Sequence, residues 1–234
     1  MTGASGRLGR AIALQLADAG ATPIVHYRSD EAGAEETVRQ LADLGVTSHA
    51  VHSDLAHEGA CERLIEATCE HLGDIDLLVN SAAMFVRTPL EEMRVEDFDR
   101  HMAANARSVY ELSLHAGRRM VAADGGDIIN LADIAAFRPW PMYVGYCASK
   151  AAVVNMTQSF AKALAPKVRV NGIAPGAALP PTGGDVAQGE AAVRATPLGR
   201  WGGASSITSA VMFLLRATYV TGYTLPVDGG RSIA

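Results

Sequence analysis

Three side chains near the middle of the chain have the types and spacing that proton transfer requires. Tyr146 and Lys150 stand four residues apart, and Asp133 precedes the tyrosine by thirteen residues. Residues i and i+4 of a helix share one face, so the phenol and the ammonium are expected to be neighbours. A buried ammonium favours phenolate and is expected to lower the pKa of Tyr146, making it a usable proton donor or acceptor near neutral pH.

The glycine-rich stretch TGASGRLG at 2–9 is a candidate phosphate-binding turn at the start of a predicted helix. Glycines let the backbone approach a pyrophosphate, and the free N–H groups and positive dipole end of the helix hold the anion. Arg7 stands where a glycine is expected. A cation in the first helical turn opposes the dipole, so the sequence predicts an anionic or carbonyl partner for Arg7.

The sequence before this turn is unusually short, because a dinucleotide-binding turn normally follows a central strand. Only Met1 precedes Thr2. We expect that roughly five residues of that strand either lie outside this sequence or are missing from the protein.

The segment HYRS at 26–29 ends the next predicted strand and bears on the choice of cofactor. A site for NAD would place Asp or Glu here, to accept a hydrogen bond from the ribose 2′-hydroxyl. Arg28 and Ser29 instead offer a cation and a hydroxyl, which suit a 2′-phosphate and predict NADP. Asp30 is predicted to cap the following helix. An exposed arginine in a turn is the alternative interpretation of Arg28.

Two more segments, SDL at 53–55 and NSAAMF at 80–85, follow predicted strands. Ligands gather at the carboxyl ends of parallel strands, so both segments are candidates for the cofactor site. Alternatively, Asp54 caps the next helix and Asn80 bonds to loop backbone.

Strand-like apolar runs alternate with segments of helical period along the whole chain. The predicted strands are 22–27, 47–52, 75–79, 127–131, 168–173 and 223–227, and the predicted helices are 7–19, 31–44, 57–72, 96–122, 143–164 and 204–216. This alternation predicts an α/β fold with a doubly wound parallel sheet and helices on both faces. No linker divides the chain, so 1–234 is predicted to be a single domain, with a substrate loop at about 177–200.

Composition excludes several classes of function. The net charge is −5 and no basic stripe or long apolar run is present, so neither nucleic acid nor a membrane is an expected partner. Three cysteines without a CxxC spacing favour a reducing cytoplasm. His57 and Cys61 lack further ligands nearby in the sequence, so no metal is expected.

Together these features resemble the short-chain dehydrogenase/reductase family over essentially the whole chain. The resemblance rests on TGxxxRxG at 2–9, Asn80, Asn105, Tyr146-x-x-x-Lys150, Pro175-Gly176 and YVTGYTLPVDGG at 219–230. It implies a Rossmann-type fold, a nicotinamide cofactor and, from the frequent tetramers of the family, a homotetramer. It also implies that Tyr146 donates a proton, that Lys150 holds the nicotinamide ribose and tunes Tyr146, and that Asn105 supports a water relay. The cofactor-binding positions that it implies are Gly3, Ser5, Arg7, Leu8, Tyr27, Arg28, Ser29, Asp54, Leu55, Asn80, Ser81, Ala82, Tyr146, Lys150, Pro175 and Gly176.

One position departs from that family, which usually has a serine where this chain has Asp133. An ionised carboxylate only accepts hydrogen bonds, and it repels a carbonyl oxygen that gains negative charge. It favours a substrate that presents N–H groups or becomes cationic, as a protonated imine does. Reduction of a C=N bond in a pterin ring meets both conditions. Asp133 also opposes the effect of Lys150 on Tyr146, so these groups are expected to titrate as a coupled set.

This combination is similar to the pteridine reductases, including the dihydromonapterin- and dihydrobiopterin-reducing types. That similarity implies NADPH, a pterin-like small molecule, and a substrate site made of Arg7, Phe85, Asp133 and Tyr146, with Phe85 stacking on the pterin. Phe85 as a core residue and Asp133 as an exposed loop residue are the structural alternatives. The functional alternatives are an NADPH-dependent carbonyl or 3-oxoacyl reductase and a non-catalytic NADP-binding sensor.

Overall fold

The computed structural model describes residues 1–180 and 186–234. Its strands are β1 (Val25–Tyr27), β2 (Ala50–His52), β3 (Leu77–Asn80), β4 (Gly126–Leu131), β5 (Val168–Pro175) and β6 (Thr224–Val227). Its α-helices are α1 (Arg7–Asp18), α2 (Glu31–Asp43), α3 (Ala60–Leu72), α4 (Val95–His101), α5 (Ser108–Ala122), α6 (Val144–Leu164), α7 (Val186–Arg194) and α8 (Gly203–Arg216). None of these described helices is long and apolar enough to cross a membrane.

The strands are parallel, as the alternation of strands and helices predicts. β3, β4, β5 and β6 pair in that order, and β1 pairs with β2 in a separate two-stranded ladder. The start of the chain lies between the two ladders. The Thr2 N–H donates to the Val79 carbonyl at 3.0 Å, and the His26 N–H donates to the Met1 carbonyl at 3.1 Å. The glycine-rich turn therefore leaves from the middle of the parallel array.

Helices cover both faces of the sheet, and neighbouring residues of β4 show this directly. Ile128 packs in a core cluster with residues of α3, α5 and α6, whereas Ile129 packs in another with residues of α1 and α8. Successive side chains of a strand point to opposite faces, and here both faces are apolar. The α/β fold with a parallel sheet and helices on both faces is confirmed.

Several predicted boundaries are wrong. The helix predicted at 57–72 begins at Ala60, because Asp54 instead closes a turn by accepting from the Ala56 N–H at 3.0 Å. The helix predicted at 96–122 contains a π-helical segment, Met102–Arg107, between α4 and α5. The loop predicted at 177–200 contains α7, and its residues 181–185 lie outside the described part.

Candidate active site

The fold brings Asp133, Tyr146 and Lys150 together at the carboxyl end of β4. Asp133 follows this strand, and its Oδ1 accepts from the Ala135 N–H at 2.8 Å at the start of a short 3-10 turn. Tyr146, near the start of α6, donates its hydroxyl hydrogen to Asp133 Oδ2 at 2.8 Å. The prediction that Asp133 stands beside the phenol is confirmed, and the alternative of an exposed loop residue is wrong because Asp133 is half-buried.

Lys150 lies one helical turn below the tyrosine and is buried. Its Nζ donates to the Leu131 carbonyl at 2.7 Å and lies 5.8 Å from the centre of the Tyr146 ring. Burial lowers the pKa of Lys150 from 10.5 to about 8, and the nearby Asp133 partly opposes this shift. The Leu131 carbonyl of β4 therefore holds the Lys150 ammonium close to the Tyr146 ring.

The expected lowering of the Tyr146 pKa by Lys150 is wrong for this structure. Burial, followed by the charge of Asp133, raises the pKa of Tyr146 well above 10. Burial also raises the pKa of Asp133, while the Ala135 N–H, the Tyr146 hydroxyl, Lys150 and Arg231 act in the opposite direction. Tyr146 is therefore a neutral phenol that holds its proton in this structure.

Asn105 lies in the π-helical segment and is buried behind the tyrosine. Its amide exchanges two hydrogen bonds with the Met84 backbone, at 2.7 and 2.9 Å, and its Nδ2 also donates to Ser149 Oγ at 3.0 Å. A π-helical segment shifts side chains relative to a regular helix and is frequent at functional sites. Asn105 thus joins the loop after β3 to α6 through Met84 and Ser149.

Aromatic rings form one wall beside Tyr146. The Phe85 ring is 56% exposed and stacks on Tyr143, with ring centres 4.6 Å apart and planes at 4°. It also meets the Tyr146 ring edge-on at 4.7 Å and the Trp140 ring at 6.3 Å. The core interpretation of Phe85 is wrong, because a half-exposed ring at a cleft remains available to a flat ligand.

The glycine-rich turn closes tightly against α1 and the end of β3. A Cβ on Gly9 would come within 1.9 Å of the Gly3 carbonyl oxygen, and a Cβ on Gly3 within 2.9 Å of the Ala82 Cα. Arg7 occupies a left-handed conformation with φ of 50°, which agrees with the expectation of glycine at this position. Its Nη2 donates to the Pro180 carbonyl at 2.5 Å, so the predicted carbonyl partner is confirmed.

His26 is a residue of this turn that the sequence analysis missed. Its Nδ1 accepts from the Gly3 N–H at 3.1 Å, and its Nε2 lies 2.9 Å from the Ser53 carbonyl, which requires the proton on Nε2. Burial lowers the pKa of His26 from 6.5 to about 4. The neutral imidazole therefore ties the turn to the end of β2. The signal for this role in the sequence was the position of His26 in a predicted strand, two residues before Arg28.

Two adjoining clefts run along the carboxyl edge of the sheet and contain most of the predicted residues. The first, of about 640 Å³ with open solvent included, is lined by residues that include Gly3, Ser5, Tyr27, Arg28, Ser29, Asp54, Leu55 and Ala82. The second, of about 1880 Å³ with open solvent included, is lined by residues that include Arg7, Leu8, Ser81, Phe85, Asp133, Tyr146, Lys150, Pro175, Gly176 and Arg231. The two clefts share Gly3, Ser5, Asp30, Ala82 and Ala83, so one extended ligand can occupy both.

Asn80 is brought to neither cleft. Its side chain is buried between strands and helices, and its Nδ2 donates to Asn130 Oδ1 at 2.9 Å and to Ser113 Oγ at 3.4 Å. The alternative that Asn80 bonds to loop backbone is also wrong, because its Nδ2 donates to two side chains. Asp30 caps α2 as predicted, accepting from the Gly33 N–H at 3.0 Å, which leaves Arg28 and Ser29 exposed in the first cleft.

The fold and these clefts define a nicotinamide-dependent oxidoreductase. Glycines hold the start of a helix close to the strand ends, where a pyrophosphate is bound in such folds, and a tyrosine and a lysine meet farther along the same edge. The family described as enoyl-(acyl carrier protein) reductase matches residues 3–232. The chain belongs to this family of short-chain dehydrogenases/reductases.

Individual relatives carry several names. The chain is 34% identical to 3beta-hydroxysteroid dehydrogenase 1 of Eggerthella lenta, over 100% of this chain and 92% of that protein. It is 32% identical to the 3-oxoacyl-(acyl-carrier-protein) reductase FabG of Staphylococcus aureus, over 98% and 96%. It also matches the structure of FolM alternative dihydrofolate reductase 1 from Brucella canis complexed with NADP, with a TM-score of 0.90, 29% identity and coverage of 100% and 93%.

Proposed function

We propose that this enzyme reduces a C=N bond of a dihydropterin to give a tetrahydropterin, with NADPH as the reductant. The observation that carries the proposal is the 2.8 Å hydrogen bond from the Tyr146 hydroxyl to Asp133. A carboxylate at the reaction centre accepts N–H groups of a heteroaromatic ring and stabilises positive charge on it. The similarity to a dihydrofolate reductase of Brucella canis supports the same substrate class.

The residues of the cleft have separate roles in this reaction. When bound, the cofactor supplies the hydride to the ring carbon of the C=N bond. Tyr146 donates its proton to the ring nitrogen and recovers one through Asp133 and solvent. Lys150 contacts the nicotinamide ribose with its buried ammonium. Phe85, whose side chain is half-exposed in the cleft, would pack against the flat pterin ring.

The preference for NADPH rests on the end of β1. Arg28 and Ser29 are exposed in the first cleft, whereas the carboxylate of Asp30 is engaged in capping α2. A guanidinium and a hydroxyl suit the 2′-phosphate of NADP. The NADP in the Brucella canis structure agrees with this assignment.

A second candidate function is reduction of a ketone, in particular a 3-oxoacyl group. It is favoured by the names of the matching family and of the Staphylococcus aureus relative. In that case the Tyr146 hydroxyl would donate its proton to a carbonyl oxygen instead of a ring nitrogen. The negative charge of Asp133 opposes the alkoxide that develops there, so the pterin reaction is the better match to this site.

The test is a comparison of NADPH and NADH oxidation with dihydrobiopterin, dihydromonapterin, dihydrofolate and several ketones. NADPH oxidation by a dihydropterin is expected, and it is expected to fall by at least about 100-fold in Tyr146→Phe. Tyr110→Phe is the matched control, because it removes a hydroxyl from an exposed residue of α5 outside both clefts. Full activity of Tyr146→Phe would refute the mechanism, and turnover of ketones alone would favour the second candidate.

The homotetramer is also a proposal, drawn from the resemblance to a family in which tetramers are frequent. Sedimentation equilibrium of the purified protein tests it. A monomer at micromolar concentration would contradict it.

A further inference from the structure

Arg231 is a cation of the second cleft that the reaction does not use. Its guanidinium carbon lies 5.5 Å from the centre of the Trp140 ring, and both residues line the cleft that contains Asp133 and Tyr146. We propose that Arg231, supported by Trp140, forms a subsite for an anionic group, a carboxylate or a phosphate, carried by the substituent of the substrate. This inference refines the proposed function and rests on it for the identity of the ring.

The chain around Arg231 is held firmly, so the guanidinium has a defined position. Asp228 accepts from the Gly230 N–H at 2.9 Å and from the Ser232 N–H at 2.6 Å. Arg138 donates to the Ser232 carbonyl at 3.0 Å and to the Ala234 carbonyl at 2.6 Å. These bonds fix the backbone on both sides of Arg231 against the segment that follows Asp133. A pre-positioned guanidinium loses little conformational freedom when it binds an anion.

The guanidinium of Arg231 is also available for a ligand. Two other cations of this cleft donate to backbone carbonyls, Arg7 to Pro180 and Lys150 to Leu131. Within residues 1–180 and 186–234, the Arg231 side chain makes no hydrogen bond or ion pair, and its recorded contact is the Trp140 ring. Stacking on an aromatic ring leaves the N–H groups at the guanidinium edge free for bidentate binding of a carboxylate or phosphate.

The charges in the cleft match a particular kind of substrate. Asp133 lies at the Tyr146 hydroxyl, where the ring would react, and Arg231 lies beside Trp140 in the same cleft. The positive charge of Arg231 acts to lower the pKa of Asp133. A ring with N–H donors and an acidic substituent would meet a complementary charge at each end.

The experiment compares matched substrates that differ only in their anionic groups. Dihydrofolate carries two carboxylates that its dimethyl ester lacks, and dihydroneopterin monophosphate carries a phosphate that dihydroneopterin lacks. For each pair, kcat and KM are measured with NADPH, and Kd is measured by calorimetry in the presence of NADP. The carboxylate pair and the phosphate pair then show which anion the subsite accepts.

Arg231→Gln is expected to raise KM and Kd about tenfold for the anionic member of at least one pair, with kcat and the neutral member little changed. Arg231→Lys is expected to retain most of the discrimination, because it keeps the charge. Arg118→Gln, on the exposed face of α5, is the control for loss of an arginine elsewhere. Equal losses for neutral and anionic members, or no change in either pair, would overturn the proposal.

A keto substrate separates this proposal from the proposed function. A 3-oxo acid and its methyl ester differ by one carboxylate and contain no pterin. If dihydropterins are neither bound nor reduced, Arg231→Gln is still expected to weaken the acid selectively over the ester. That result would end the pterin assignment and support the anion subsite. An equal effect of Arg231→Gln on the anionic and the neutral member of every pair would exclude the subsite alone.

Discussion

Replacement of Asp133 by serine tests the central physical claim about this cleft. Serine keeps a side-chain oxygen that can accept from the Ala135 N–H, so the turn after β4 is expected to persist. The variant removes the carboxylate oxygen that accepts from the Tyr146 hydroxyl at 2.8 Å. A hydrogen bond to a charged group contributes about 1.5–3 kcal/mol, which corresponds to roughly 10–150-fold in rate if a substrate N–H uses the same oxygen in the transition state.

The same change is expected to act in the opposite direction on ketones. Serine offers a hydroxyl donor where Asp133 offers only acceptors, and it removes the negative charge that opposes a developing alkoxide. Loss of that charge also removes one of the causes that raise the pKa of Tyr146. We therefore expect kcat/KM for dihydropterins to fall and kcat/KM for ketones to rise.

The assay follows NADPH absorbance with dihydropterins and ketones for the wild type, Asp133→Ser and Asp133→Asn. Asparagine keeps the shape of the side chain and removes its charge, so it separates the electrostatic effect from simple shortening. If both variants reduce dihydropterins at the wild-type rate and gain nothing on ketones, the carboxylate has no role in selecting the substrate.

Three further predictions concern the cofactor and the buried bases. Arg28→Ala is expected to raise KM for NADPH about tenfold with little change for NADH, and parallel increases for both would exclude a 2′-phosphate contact. Because the pKa of His26 is lowered to about 4, this residue is expected to remove about 2 kcal/mol from the unfolding free energy of the wild type between pH 7 and 4.5. Urea titrations of His26→Gln should show a smaller loss over the same range. An equal loss would contradict a buried, neutral imidazole at position 26. Because the pKa of Lys150 is lowered to about 8, stability of the wild type is expected to rise with pH above 8. The stability of Lys150→Met relative to wild type should therefore fall by about 2 kcal/mol from pH 7 to 9.5, and a constant difference would show that the ammonium is not buried.

The sequence alone determined the fold class and the types of residue at the site. The periods of strands and helices can be recognised from short segments of sequence. Apolar strands that alternate with helices are typical of a parallel sheet covered by helices on both faces. The spacing of Tyr146 and Lys150 likewise follows from helix geometry. The unusual residues Arg7 and Asp133 were visible as departures from an expected pattern, and both have partners of the kind that their charge requires.

The tertiary structure decided what each group does to its neighbours. The Tyr146 pKa depends on how deeply the phenol is buried and how close Asp133 lies, and neither quantity is contained in a four-residue spacing. The Asn80 side chain points into the interior, where its amide donates to Asn130 of β4 and Ser113 of α5. Arg231 lines the same cleft as Asp133, although about one hundred residues separate them in the chain. The burial of a side chain, and its distance from residues far away in the sequence, are set only when the chain folds. The sequence therefore identifies the candidate groups, whereas the fold determines their pKa values and their hydrogen-bond partners.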